Sequence, residues 1–273
     1  MTAQGREMLR SFRAWGAIDT TCFVGQWPYR LAAAADADDL RAHAERLGLR
    51  SVWVSHLASL FGFDTRPGNE AVLAACADDP LFRVFATIDP REASWRDDLD
   101  DAVDSGARGV RVAPGFHRYD IAALRPVLDQ CVQRALPLQL IARLDDARVR
   151  HPLSPAVDLE LHRIADLVRD APAHPLLISG LNRADWTELN RHLGDAAPAW
   201  LRLDLWHVNG PTHVADLLGD NPERWVFGSG FPVQTPEATA LQLAASALSP
   251  AALRAITSGN AAALLHEGLP SDG

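Results

Sequence analysis

The sequence contains no lysine, and all 26 of its basic residues are arginine. A lysine Schiff base is therefore out of reach as a catalytic device. Cysteine is nearly as scarce: Cys22, Cys76 and Cys131 are odd in number and widely spaced, which excludes a disulfide framework and a CxxC zinc motif. No apolar run approaches the ~20 residues that cross a bilayer, and Met1 to Arg13 is polar and charged rather than signal-like, so a cytoplasmic protein is expected. Clustered positive charge is also missing. A net charge of −9 and a pI near 5.5 argue against nucleic acid or an anionic membrane surface and leave a small molecule, in particular an anion, as the expected partner.

What the chain does have is apolar content, 48% over 273 residues, enough for a substantial core and consistent with one domain over residues 1–273. Short apolar runs begin near Ala17, Ser51, Arg83, Gly109, Leu138, Pro175, Leu201 and Trp225, most of them followed by a segment with apolar residues at three- and four-residue spacing. Strand, helix and strand in succession imply right-handed crossovers and a parallel sheet, and eight such units close a (β/α)8 TIM barrel. Ser154-Pro155, Thr235-Pro236 and Ser249-Pro250 each place a hydroxyl before proline and so predict helix starts, the last opening an extra C-terminal helix to about Leu265.

Several segments taken in order carry a resemblance. The first strand reads Ile18-Asp19-Thr20-Thr21-Cys22-Phe23 and the last reads Phe227-Gly228-Ser229-Gly230-Phe231-Pro232. Between them lie Gly68-Asn69 at a helix opening, Ile88-Asp89-Pro90, Gly106 to Val112 with Pro114 to His117, and finally Gly259-Asn260-Ala261-Ala262. Together, over roughly residues 15 to 265, they resemble the amidohydrolase family. The resemblance implies a metal-binding Asp-x-His-x-His on the first strand and an aspartate in Phe-Gly-Ser-Asp-Phe-Pro on the last. Here Thr21 and Phe23 stand where the histidines would be, and Gly230 where the aspartate would be. The fifth and sixth strands, Leu138 to Leu144 and Leu176 to Leu181, contain no histidine either. A tight site needs three or four donors converging at about 2 Å, so the expectation is no metal and no cofactor. The missing lysine also rules out the carboxylated lysine used by some relatives, and the resemblance suggests a homodimer.

Chemistry in such barrels sits at the C-terminal ends of the strands. Period-two alternation puts Asp19, Thr21 and Phe23 on one face of the first strand, the face that points inward in the family, and gives Cys22 the opposite parity of a small buried residue. On the seventh strand Leu201, Leu203 and Leu205 should meet the helices while Arg202, Asp204 and Trp206 face inward. Buried charges there must pair, Arg111 with Asp204 or Asp19 with an arginine, either as a satisfied polar core or as substrate contacts. The acid-base candidates are His207, His151, Asp146 and His56. Candidates for substrate binding are Arg111, Arg148 as a bidentate carboxylate fork, Asp19, and from the loop after the first strand Trp27 as an aromatic wall with Arg30 as an anion clamp. Tyr29 would extend that wall.

Three readings follow. The leading one is a metal-independent hydrolase or lyase acting on a small carboxylated molecule by arginine anchoring and His/Asp acid-base catalysis, with loss of turnover on substituting Arg111, Arg148 or His207. The second is a catalytically inactive barrel that binds a ligand or protein, favoured if Phe23 and Trp206 fill the pocket. The third is a relocated metal site built from His56, His207, Asp19 or Cys22.

Overall fold

Eight parallel strands run round the barrel in chain order: β1 (Ile18–Val24), β2 (Ser51–His56), β3 (Phe82–Thr87), β4 (Gly109–Val112), β5 (Leu138–Ile141), β6 (Leu176–Ser179), β7 (Leu201–Asp204) and β8 (Trp225–Val226). The computed structural model describes residues 2–29, 34–148, 150–194, 197–219 and 221–267. The seam between β8 and β1 is joined by backbone hydrogen bonds from Thr20 N to Phe227 O (3.0 Å), Gly230 N to Thr21 O (2.9 Å) and Phe23 N to Phe231 O (2.8 Å). The arrangement is that of a (β/α)8 TIM barrel, and the eight apolar runs in the sequence mark its strands.

Alternation along the strands sorts the core into two shells. Val52, Val54, Val110, Val112, Leu138, Leu140, Leu201, Leu203 and Leu205 point outward and pack under the helices. Inside, the floor is Ile18, Trp53, Phe85, Leu177 and Val226, closed from below by Ala261, Ala262 and Leu264 of the C-terminal helical segment. The top is a second apolar layer containing Phe23, Leu57, Ala113, Ile141, Leu144, Trp206 and Val233. Side chains thus fill the barrel, as they do in folds of this type.

Strand β1 departs from simple alternation. Asp19 pairs with Val52 and Cys22 with Val54, so β1 carries one residue more than β2 over that interval, a β-bulge. The bulge resets the phase: Ile18, Thr21 and Phe23 face the axis, while Asp19 and Cys22 face the helix layer. The inward position expected for Asp19 is therefore corrected.

Behind β1 lies α2 (Ala37–Leu47), which follows the N-terminal α1 (Ala3–Arg13). A reciprocal capping box starts α2, with the Asp36 side chain accepting from Asp38 N and Asp39 N and the Asp39 carboxylate accepting from Asp36 N. Gly48 in the left-handed region ends it, at a place where a Cβ would lie 2.8 Å from Arg13 O. Leu40, His43, Ala44 and Leu47 form its buried face. Two asparagines of the family-like segments act as struts. Asn69 brackets Thr87 with two hydrogen bonds, and Asn260 donates to Pro222 O and Trp225 O.

Of the predicted helix starts, Ser249 caps its helix by accepting from Ala252 N. Thr235 precedes a helix but makes no side-chain cap bond. Ser154-Pro155 starts no helix: residues 155–160 are irregular, pinned by Val157 N to Gly115 O, and the next helix begins at Leu161.

Candidate functional site: a plugged barrel axis

Between the two apolar layers lies a polar one. Thr21 donates to Asp204 Oδ2 at 2.6 Å, and Gly180 N donates to Asp204 Oδ1 at 3.1 Å. Gln139 Nε2 reaches Ser179 Oγ, Thr21 Oγ1 and Thr20 O. Arg111, wholly buried, spends its guanidinium on Gln139 Oε1 (2.9 Å), Cys22 O (3.0 Å) and Thr20 O (3.2 Å). Its charge is sandwiched between the rings of Phe23 (4.7 Å) and Phe85 (5.7 Å), a desolvated cation–π arrangement of the kind worth about 2 kcal/mol. Burial pulls the Arg111 pKa down to about 9, which leaves it charged at neutral pH.

Arg111 and Asp204 do not form the direct ion pair expected from sequence; Gln139 and Thr21 stand between them. With its partners neutral, Asp204 is pushed by burial up to about 6, and the hydrogen bonds from Ser179, Thr21 and Gly180 only partly oppose that rise. Gln139 and Ser179 were missed in the sequence, although the parity of β5 and β6 carried the signal: Gln139 sits between the outward-facing Leu138 and Leu140, and Ser179 follows the outward-facing Leu176 and Ile178 in alternation.

Asp19 belongs elsewhere. Its partner is His43 of α2, at 3.0 Å from Oδ2, rather than an arginine. Thr21 N (3.2 Å) and Ser229 N (2.9 Å) donate to its Oδ1. Burial and the neighbouring carboxylate raise the Cys22 thiol well above its usual range. Neither Asp19 nor Arg111 is placed to touch a molecule at the mouth.

The remaining candidates divide into two groups. Trp27 is buried and packs edge-on against Tyr29 and Phe61, and Tyr29 stacks on His151 at 5.7 Å, so these rings form one aromatic cluster. The exposed His151 accepts from Leu153 N, and His56 likewise accepts from Ala58 N while lying against Gly25. Both imidazoles order their own turns, and burial lowers the His56 pKa. Arg30 lies outside the described residues. Arg148, 87% exposed, folds back onto Asp146 in a forked pair instead of facing the mouth, and holds the Asp146 pKa well below the carboxylate range. Neighbouring arginines are also matched: Arg143 with Asp185 (2.9 Å) and Arg150 with Asp145 (2.8 Å) and Asp158 (2.5 Å). His207 is buried beside Trp206 (ring centroids 4.4 Å), with Gln234 3.5 Å from Nε2. Burial, reinforced by Arg143, lowers its pKa to about 4 and keeps it neutral.

Gly230 connects this geometry to the last-strand motif. Its φ is +71°, and a Cβ built there would fall inside the indole of Trp206. An aspartate at this position and the tryptophan cannot coexist as placed.

Residues 25–266 match the amidohydrolase family model. The chain belongs to the amidohydrolase family. The match begins just past β1, where the family's motif of paired histidines is missing. No curated protein matches the chain. Solved structures of similar fold include a dihydroxybenzoic acid decarboxylase from a Polaromonas species with bound manganese and the inhibitor 2-nitroresorcinol (17% identity, TM-score 0.66, covering 92% of this chain and 97% of that one). Others are 5-carboxyvanillate decarboxylase from Sphingomonas paucimobilis (14%, 0.64, 92% and 99%) and a probable 2-pyrone-4,6-dicarboxylic acid hydrolase from Acinetobacter baumannii with citric acid bound (12%, 0.62, 92% and 99%). At these identities the likeness is one of fold. The divalent ion implied by the amidohydrolase resemblance does not fit the residues here, since Thr21 and Phe23 replace its imidazoles and Trp206 fills the position of its aspartate.

Proposed function

We propose that this chain is a binding member of the amidohydrolase family, one that carries no divalent ion on its barrel axis and turns over no substrate there. The observation that supports this most strongly is the Trp206 ring lying where a Gly230 side chain would be, above a Phe23 that is itself fully buried. Fold similarity to enzymes does not carry their chemistry across. The described arginines of the loop after β5 are each neutralised by a carboxylate, so a free cationic anchor for an anionic substrate is lacking among them. Phe63, Leu153 and Val157 are exposed apolar side chains on the same loops after β2 and β5 that supply Phe61, His151 and Ala156 to the aromatic cluster, and they suit an apolar or amphipathic ligand.

A second reading rests on His207, a neutral imidazole at the mouth beside Gln234, which has the chemistry of a general base. One experiment separates the two. The purified chain is exposed to a panel of small apolar and amphipathic compounds together with carboxylic acids, amides and esters; melting temperature is recorded, and each compound that raises it is followed by NMR for consumption. The binding reading expects stabilising compounds to persist unchanged. Consumption that disappears in His207→Gln would establish acid-base catalysis instead.

A further inference from the structure

On the helix-facing side of β1, away from the barrel axis, four donor atoms converge. Asp19 Oδ2 lies 3.0 Å from His43 Nε2, Ser229 Oγ lies 3.5 Å from the same nitrogen, and Cys22 Sγ lies 3.8 Å from that hydroxyl. The carboxylate, thiol and imidazole donors all fall within 4.8 Å of one another, and all three residues are fully buried. We propose that Asp19, Cys22 and His43, with Ser229 as fourth donor, form a structural site for a divalent transition-metal ion of the zinc or cobalt type.

The chemistry of the donors supports this choice. A tetrahedral ion with bonds of ~2.0–2.3 Å to O, N and S spreads its ligands roughly 3.2–3.8 Å apart, so small shifts bring this set into place. One carboxylate and one thiolate neutralise a 2+ ion, and a closed, uncharged site is compatible with complete burial. On binding, the Cys22 thiol proton leaves to solvent and the imidazole proton sits on Nδ1, freeing the Nε2 lone pair. The surroundings are preorganised. Two backbone N–H groups fix Asp19 Oδ1 and leave Oδ2 facing the cluster, Phe231 stacks flat on the His43 ring (4.6 Å, 10°), and Phe231 N orients the Ser229 hydroxyl. His43 Nδ1 has no hydrogen-bond partner, so the polar engagement of the ring is all at the nitrogen that faces the cluster.

The bulge in β1 is what makes the cluster. By resetting the alternation it places residues three apart, Asp19 and Cys22, on the same outer face, opposite the one histidine on the buried stripe of α2. An ion there would staple α2, β1 and the segment after β8 across the seam that closes the barrel.

Because the site is sealed, loading is tested during folding. The full chain is unfolded and refolded with one equivalent of Co2+, and absorption is recorded. The proposal predicts one bound Co2+ per chain with an intense near-ultraviolet thiolate-to-cobalt band. That band is suppressed when Zn2+ competes during refolding, lost in Cys22→Ala, retained in Cys131→Ala, and requires at least tenfold more Co2+ in His43→Gln. X-ray absorption on the wild-type cobalt protein should find a single sulfur among oxygen and nitrogen neighbours, which decides the matter even if Cys22→Ala fails to fold. Absence of stoichiometric cobalt after refolding, a band that survives Cys22→Ala, or a coordination shell without sulfur would overturn it.

Discussion

Asp204 and His207 illustrate how much a single environment changes a side chain. Burial moves both pKa values across the same window in opposite senses, Asp204 upward from 3.8 to about 6 and His207 downward from 6.5 to about 4. Between these values the folded chain holds a proton on Asp204 that the unfolded chain has released, so the Asp204 contribution to stability falls as pH rises through pH 4 to 6. His207 does the reverse, shedding in the folded state a proton that the unfolded chain keeps, and its contribution falls as pH drops from 6.5 to 4. Each effect is of order 3 kcal/mol. Urea unfolding from pH 4 to pH 7 should show the stability of Asp204→Asn, relative to wild type, improving with rising pH and that of His207→Gln worsening. Parallel curves for wild type and both variants would refute the assigned environments. At this scale the sequence disclosed less than at any other. It identified which residues were chemically capable, including His207 and Asp146, but it could not reveal that Arg148 folds onto Asp146 or that Arg111 uses its donors on carbonyls and Gln139, because those pairings join residues by geometry.

At the scale of elements, the eight strands and their order were legible because each is a short apolar run between amphipathic segments, and β7 alternates outward leucines with inward Asp204 and Trp206, while Arg202, half-buried, turns its guanidinium to the carbonyls of Ala199 and Leu201. Strand β1 was misread for a physical reason: a bulge leaves no composition signature, yet it turned Asp19 from the axis to the helix layer. Proline after a hydroxyl gave a helix start at Ser249 but not at Ser154, where the chain is held irregular by its backbone bond to Gly115. His43 was overlooked although it lies on the same stripe as Leu40 and Leu47, the spacing that marks a buried helix face. Helix α2 carries that histidine, and its start depends on Asp36. Replacing Asp36 with Ala removes the acceptor for two backbone N–H groups and should lower stability by about 1 kcal/mol, read as a shift in the urea midpoint at unchanged slope. An unchanged midpoint would mean that the cap is not holding the helix.

For the molecule as a whole, an amidohydrolase-family barrel is filled by side chains from floor to mouth. The barrel is closed at β8 and β1 by backbone bonds, floored by Trp53 and Phe85, held in the middle by an Arg111–Gln139–Thr21–Asp204 chain, and capped by Phe23 and Trp206. Gly230 and Trp206 go together, because the indole occupies the room that any side chain at position 230 would take. A double-mutant cycle at Gly230 and Trp206, measured by urea unfolding, tests this most directly. Trp206→Ala should cost about 3–5 kcal/mol by opening a cavity. Gly230→Ala should be severe in the wild-type background and milder by about 1–3 kcal/mol once the indole is gone, the remainder reflecting the positive φ. Costs that simply add, within ~0.5 kcal/mol, would show that Trp206 does not occupy the room beside Gly230.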